Sequence, residues 1–94
     1  MLVERSEITT KEGSEEDFAA VMRDQGVPLL AGFPGVKWVQ FGRGVENPDK
    51  FMLLVEWEAM DAHAAYSASP KSGEFRQLIG RYLKGGAMEH FNMS

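Results

Sequence analysis

His63 and Tyr66 stand three residues apart in a short segment that reads as a helix, so they share one helix face. An imidazole, with a reference pKa of about 6.5, can take up a proton at neutral pH. A phenol at the neighbouring position can donate to a carbonyl or hydroxyl oxygen. Arg76, on the next helix, can stabilise negative charge as it develops. Trp38 and Trp57 are the aromatic residues able to wall a pocket beside these groups. The set suits proton abstraction from an aromatic ligand and stabilisation of the resulting anion. Plain structural roles compete with each assignment. His63 can be a surface or capping residue, Tyr66 a ring that covers the sheet, and Arg76 an ion-pair partner of Glu74. The two tryptophans can be packing residues, and His90, near the end of the last strand, a structural or dimer-contact residue. No H-x-x-x-H spacing or paired-carboxylate cluster accompanies the histidines, so no metal site is read from them.

The elements that must hold these residues form the same series twice. Residues 1–44 read as strand, helix, strand, and residues 51–94 as strand, helix pair, strand, with a turn-rich break at 44–50. This predicts a single α+β domain over 1–94, a ferredoxin-like βαββαβ chain with a four-stranded antiparallel sheet and helices on one face. Ser14-Glu15-Glu16-Asp17 predicts a capped helix start. Gly26 and Pro28 end that helix near Gln25, or kink it and let it run to about Leu30. In the strand Val36–Gly42, strict alternation puts Trp38 on a face with Val36 and Gln40. Phe51, Leu53, Val55 and Trp57 alternate with Met52, Leu54, Glu56 and Glu58, in a strand whose first half is apolar on both faces. A short helix, about 59–68, stops before Pro70. A second, about 72–84, carries Phe75, Leu78, Ile79 and Tyr82 as its stripe, with Gly85-Gly86 as its end. A strand from Ala87 to Met93 closes the chain. Met22, Met52, Met60 and Met88 are read as core fillers.

Composition narrows the function. The chain has 94 residues, 44% hydrophobic, and a net charge of −4. An acidic domain with no Lys/Arg cluster is a poor nucleic-acid binder. There is no cysteine, hence no disulfide and no thiolate metal site. No apolar run approaches the roughly 20 residues of a membrane span, and the N-terminus lacks a signal-peptide pattern. The expectation is a cytoplasmic domain that binds neither membrane nor nucleic acid. Its apolar surplus suits a ligand pocket, a homodimer interface or both. Walker and dinucleotide glycine motifs and a serine nucleophile elbow are missing.

Several local features coincide in order and spacing. They are Pro34-Gly35 before an aromatic strand, the run from Phe51 to Glu58, Ala62-His63, Ser67-Ala68-Ser69-Pro70, Phe75-Arg76 and Glu89-His90-Phe91. Together they resemble the antibiotic biosynthesis monooxygenase family of dimeric α+β barrels. The resemblance implies two ferredoxin-like chains with their sheets face to face, and a pocket between sheet and helices in each. It also implies varied chemistry: oxygenation of anthrone- or quinol-type aromatics without metal or prosthetic group, degradation of haem, or no turnover. The haem-degrading branch needs an Asn, a Trp and a His at positions that fall here near Ser6 and on Tyr66 and Arg76, so none matches. A glutamate that the family often carries falls on Val55.

The resemblance and the residues converge on one expectation. The chain is a homodimer that oxidises a small or polycyclic aromatic (a phenol, quinol or anthrone-like compound) with O2 and no cofactor. His63, Tyr66 and Arg76 are the catalytic residues, and Trp38 and Trp57 line the substrate site. The alternative is a ligand-binding or stress-associated barrel that uses the same pocket without turnover, and haem binding is the weaker one.

Overall fold

The computed structural model describes residues 1–94. Its strands are β1 (Leu2–Thr10), β2 (Val36–Arg43), β3 (Lys50–Trp57) and β4 (Leu83–Asn92). They form one antiparallel sheet in the order β2-β3-β1-β4. The helices are α1 (Glu15–Val21), α2 (Val27–Ala31), α3 (Met60–Ala68) and α4 (Pro70–Ile79). The ferredoxin-like α+β fold expected from the element series is the fold observed.

Alternation in β3 sets the layering. Phe51, Leu53, Val55 and Trp57 point to the helices and are all buried. With Phe18, Met22, Leu30, Tyr66 and Ile79 they make the core. Phe18 packs edge-on against Phe51 at 4.9 Å and Phe41 at 5.9 Å. The first helical stretch does not stop at Gln25. A π-helical turn, Met22–Gly26, carries it into α2. The Val27 N–H reaches back five residues to the Met22 carbonyl, and Pro28, which has no N–H, follows within the first turn of α2.

The break between α3 and α4 lies where Pro70 requires it. Ser69 is extended, at φ −88° and ψ 158°, and α4 starts at Pro70 itself. The turn before β2 depends on Gly35, at φ +91°. A Cβ there would lie 2.5 Å from that of Ala62, so this glycine lets α3 sit against the turn.

Four details depart from the sequence reading. First, Gly85-Gly86 does not end the last helix. A 3-10 turn, Gly80–Tyr82, ends it, and the two glycines lie within β4, opposite Thr9 and Ile8. A Cβ on Gly86 would come within 2.9 Å of the Glu7 carbonyl oxygen, so the strands approach closely there. Second, the Ser14 hydroxyl makes no cap. Ser14 is helical, at φ −98° and ψ −1°, not extended as a capping residue needs to be. Glu15 instead accepts from the Gly13 N–H at 3.3 Å.

Third, β2 carries a bulge between Val36 and Trp38. Val36 lies opposite Trp57, and Trp38 already lies opposite Glu56. The extra residue moves Trp38 to the opposite face from Val36, where it joins Gln40. Fourth, of the four methionines read as core fillers only Met22 is buried. Met60 and Met88 are exposed, and Met52 is 36% exposed on the sheet face away from the helices.

Candidate functional site

Alternation along β1 sends Leu2, Glu4, Ser6 and Ile8 to the helix-covered face, opposite Trp57, Val55, Leu53 and Phe51. A glutamate thereby enters the core layer, where it is 7% exposed. Its carboxylate is held by two donors. The Trp57 indole Nε1–H donates to Oε1 at 3.1 Å, and the Ser6 hydroxyl donates to Oε2 at 2.9 Å. Charge-assisted bonds of this kind are how a buried carboxylate is tolerated.

Two imidazoles converge on the same oxygen. His63 Nε2, from α3, is 3.6 Å from Glu4 Oε1, and His90 Nε2, from β4, is 3.9 Å away. The rings meet edge to face, with centroids 4.3 Å apart. His63 also rests edge-on against the Trp57 ring at 5.2 Å. Burial lowers the His63 pKa below its ordinary value, with the Glu4 charge opposing that shift and His90 adding to it. The imidazole is therefore neutral at pH 7 and free to accept a proton.

Between this cluster and helices α3 and α4 lies a cavity of about 390 Å³. That is within the roughly 300–1,000 Å³ usual for small-molecule sites. Leu30, Leu53, Phe75, Ile79, Leu83 and Met88 supply apolar lining, and Glu4, His63, Tyr66, Ser72 and Arg76 supply polar lining. The Ser72 hydroxyl is occupied by the carbonyls of Ser67 and Ser69. The Tyr66 hydroxyl is buried and has no hydrogen-bond partner. Burial first, and then the Glu4 charge, push the Tyr66 pKa up to about 12, with Arg76 pulling the other way. The phenol stays a donor at any working pH.

Of the residues singled out in the sequence, His63, Tyr66 and Arg76 are brought to this one cavity. Arg76 forms no ion pair. Glu74, its expected partner, pairs with Lys71 at 3.3 Å. The tryptophans lie elsewhere. Trp57 is 1% exposed and rests against His63, holding Glu4 rather than lining the cavity. Trp38 lies on the opposite face of the sheet.

Glu4 and His90 were not singled out as site residues. The signal for Glu4 is a carboxylate at an inward position of β1, visible once the strand is phased on Leu2 and Ile8. His90 has no local signal. It meets His63 only because β4 returns beside β1. A larger hollow, of about 510 Å³, is lined by Arg43, Glu46, Asn47, Lys50 and Met52 around the β2–β3 loop. It contains neither histidine nor the unpartnered phenol, so the smaller cavity is the one with chemistry.

Comparison with known proteins agrees with this geometry. The family model described as antibiotic biosynthesis monooxygenase matches residues 1–78. The uncharacterized protein YczJ of Bacillus subtilis is 31% identical over 93 residues, with 97% of each chain covered. A solved structure from Bordetella bronchiseptica, assigned provisionally to the antibiotic biosynthesis monooxygenases, superposes with a TM-score of 0.90 at 28% identity, covering 99% of this chain and 96% of that one. SnoaB of Streptomyces nogalater, a cofactor-independent oxygenase, shares the fold with a TM-score of 0.85 at 15% identity, covering 98% of this chain and 91% of that one. No helix is long and apolar enough to cross a membrane.

Proposed function

Because the chain belongs to the antibiotic biosynthesis monooxygenase family, we propose that its cavity oxidises an electron-rich aromatic (a phenol, quinol or anthrone) with O2 and no cofactor. The observation that carries this reading is the buried Tyr66 hydroxyl without a partner, in the same cavity as a neutral imidazole and an unpaired guanidinium. A buried donor left unsatisfied costs about 1–3 kcal/mol. A substrate oxygen that accepts from it removes that cost on binding.

His63 takes the acidic proton of the substrate, and the electron pair stays on the substrate's carbon framework. Tyr66 and Arg76 stabilise the anion on its oxygen. The anion is the reductant for O2. One oxygen atom is retained as a carbonyl, and the other leaves as water with the two displaced hydrogens. Electrons balance with no external donor, so a chelator such as EDTA leaves the rate undiminished.

Tyr66→Phe tests the assignment with two opposed readouts. The rate of aromatic oxidation should fall by about 10–100-fold, while Glu46→Ala, in the distant loop, leaves it unchanged. Stability should stay level or rise by up to about 1 kcal/mol, since an unsatisfied polar atom is removed. The pH dependence follows from the same group. The folded chain holds the Tyr66 proton up to about pH 12, whereas an unfolded tyrosine loses it near about 10. The group leaves stability unchanged below about pH 10 and lowers it as pH rises to about 12, by on the order of 1–2 kcal/mol with solvent screening counted, because the folded chain resists ionising the phenol. Tyr66→Phe should flatten that decline in alkaline denaturation curves. Equal rate effects of the tyrosine and loop substitutions would remove Tyr66 from the site.

The same reading includes a second copy of the chain. Val3, Trp38, Met52, Leu54 and Phe91 occupy the sheet face that no helix covers. Met52 and Phe91 are 36% and 39% exposed there. Face-to-face pairing of two such sheets would cover them. Sedimentation at micromolar concentration should give a dimer, and Trp38→Ala should shift it toward monomer. A wild-type monomer would contradict the pairing.

A further inference from the structure

We propose that Glu4, His63 and His90 form a binding site for a divalent late transition-metal ion of the Zn2+ or Cu2+ class. The three potential ligand atoms, one carboxylate oxygen and two imidazole nitrogens, all lie within 4.8 Å of one another. Zn2+ bonds of about 2.0–2.1 Å in a tetrahedron set neighbouring ligand atoms roughly 3.3 Å apart. The separations of 3.6 and 3.9 Å from Glu4 Oε1 are a few tenths of an ångström longer, within reach of small side-chain rotations.

Three further observations support a cation here. His90 Nε2 is buried and has no hydrogen-bond partner. The Glu4 side chain is nine-tenths buried, and its only ion-pair contacts are the two imidazoles, with no lysine or arginine within 4 Å. Buried carboxylates are either paired or ligate metal. Glu4 is also already oriented by Trp57 and Ser6, as outer-shell donors orient metal-binding carboxylates.

Two nitrogens and one oxygen suit Zn2+, Cu2+ or Co2+ and exclude Mg2+ and Ca2+, which need several oxygen ligands. His90 lies beyond the stretch that the family model matches, so the site is composed partly by this chain's own last strand. An ion there would occupy the His63 lone pair and block proton uptake. That regulatory consequence rests on the function proposed above, but the binding does not.

The test uses tag-free, chelator-stripped protein and Zn2+ alone. The chain has two histidines, so both imidazoles can be followed by NMR in the wild type. One equivalent of Zn2+ should shift both, calorimetry should give one ion per chain, and Co2+ should develop the absorption of a low-coordinate site. Glu4→Gln and His90→Asn should each weaken binding at least tenfold, while Arg76→Gln, in the same cavity, should not. No shift, movement of only one imidazole, or binding undiminished in both variants would overturn the site. The activity arm separates the two proposals. Zn2+ binding without loss of oxygen uptake would overturn His63 as base and leave the site standing. Oxygen uptake by a protein that binds no Zn2+ would overturn the site alone.

Discussion

His63→Asn will lower aromatic oxidation by about 10²–10⁴-fold in kcat, with KM nearly unchanged, the range expected when a general base is removed. Three features of this chain set the size of the effect. The imidazole is kept neutral by burial, so it is in the accepting form before substrate arrives. Its orientation is set by Glu4 on one side and the Trp57 ring on the other. No other imidazole lines the cavity, because His90 does not. Asparagine keeps polarity and approximate size but cannot take up the proton. The melting temperature should move little, since His63 makes no hydrogen bond that folding relies on. Stopped-flow oxygen consumption at saturating substrate measures the kcat loss directly. A variant with more than about a tenth of wild-type kcat would assign the base elsewhere.

Trp57→Ala will destabilise the fold by about 3–5 kcal/mol, the usual cost of truncating a large buried aromatic. For a domain of this size that is on the order of a 15 °C fall in melting temperature at fixed protein concentration. Trp57 is 1% exposed and packs against Phe33 at 6.5 Å, His63 at 5.2 Å and Tyr66 at 5.6 Å. Its indole is also one of the two donors to the buried Glu4 carboxylate. Truncation therefore leaves both a cavity and a less satisfied charge. Trp57→Phe separates the two losses. It refills most of the volume but not the N–H, and should retain about half of the stability lost in the alanine variant. Trp38→Ala is the contrast, since Trp38 lies on the uncovered face of the sheet and outside the protomer's core, so its loss acts through pairing and depends on protein concentration, whereas that of Trp57→Ala does not. Denaturation of the three variants decides the matter. Equal losses for Trp38→Ala and Trp57→Ala at concentrations where the wild type is monomeric would contradict the packing described.

The two tryptophans also show where sequence reasoning holds and where it stops. Period-two alternation was enough to group Trp57 on one face with Phe51, Leu53 and Val55, and helical spacing was enough to gather Phe75, Leu78, Ile79 and Tyr82 into the stripe that meets the core. The His63–Tyr66 pair was visible because both residues are on one helix, and Arg76 was singled out as a cation on the helix that follows. Trp38 was assigned the wrong neighbour because a bulge inserts one residue, and nothing in Val36-Lys37-Trp38 announces it. Gly85-Gly86 looked like a helix end because paired glycines usually are. Here a 3-10 turn had already ended the helix, and the close approach of β1 accounts for Gly86 within a strand. The Glu4–His90 contact is a matter of strand order. Eighty-odd residues of chain separate them, and only the pairing of β1 with β4 makes them neighbours.

The same limit explains the site's chemistry. A buried carboxylate with two imidazoles is a strong feature in space and none at all along the chain. His63 acts as base when an aromatic substrate enters the cavity, and with His90 as a ligand when an ion binds at Glu4. That places the function in the small molecule as much as in the fold, which is shared by proteins of varied sequence.

Oxygen uptake by chelator-treated protein, with a panel of anthrones, naphthoquinols and catechols and no cofactor added, tests the central claim most directly. The account predicts uptake above the uncatalysed background for at least one electron-rich aromatic, with one atom of labelled O2 retained in the product and the other found in water. Uptake that stays at background across the panel, or that arises only when a flavin or a metal is supplied, would contradict it.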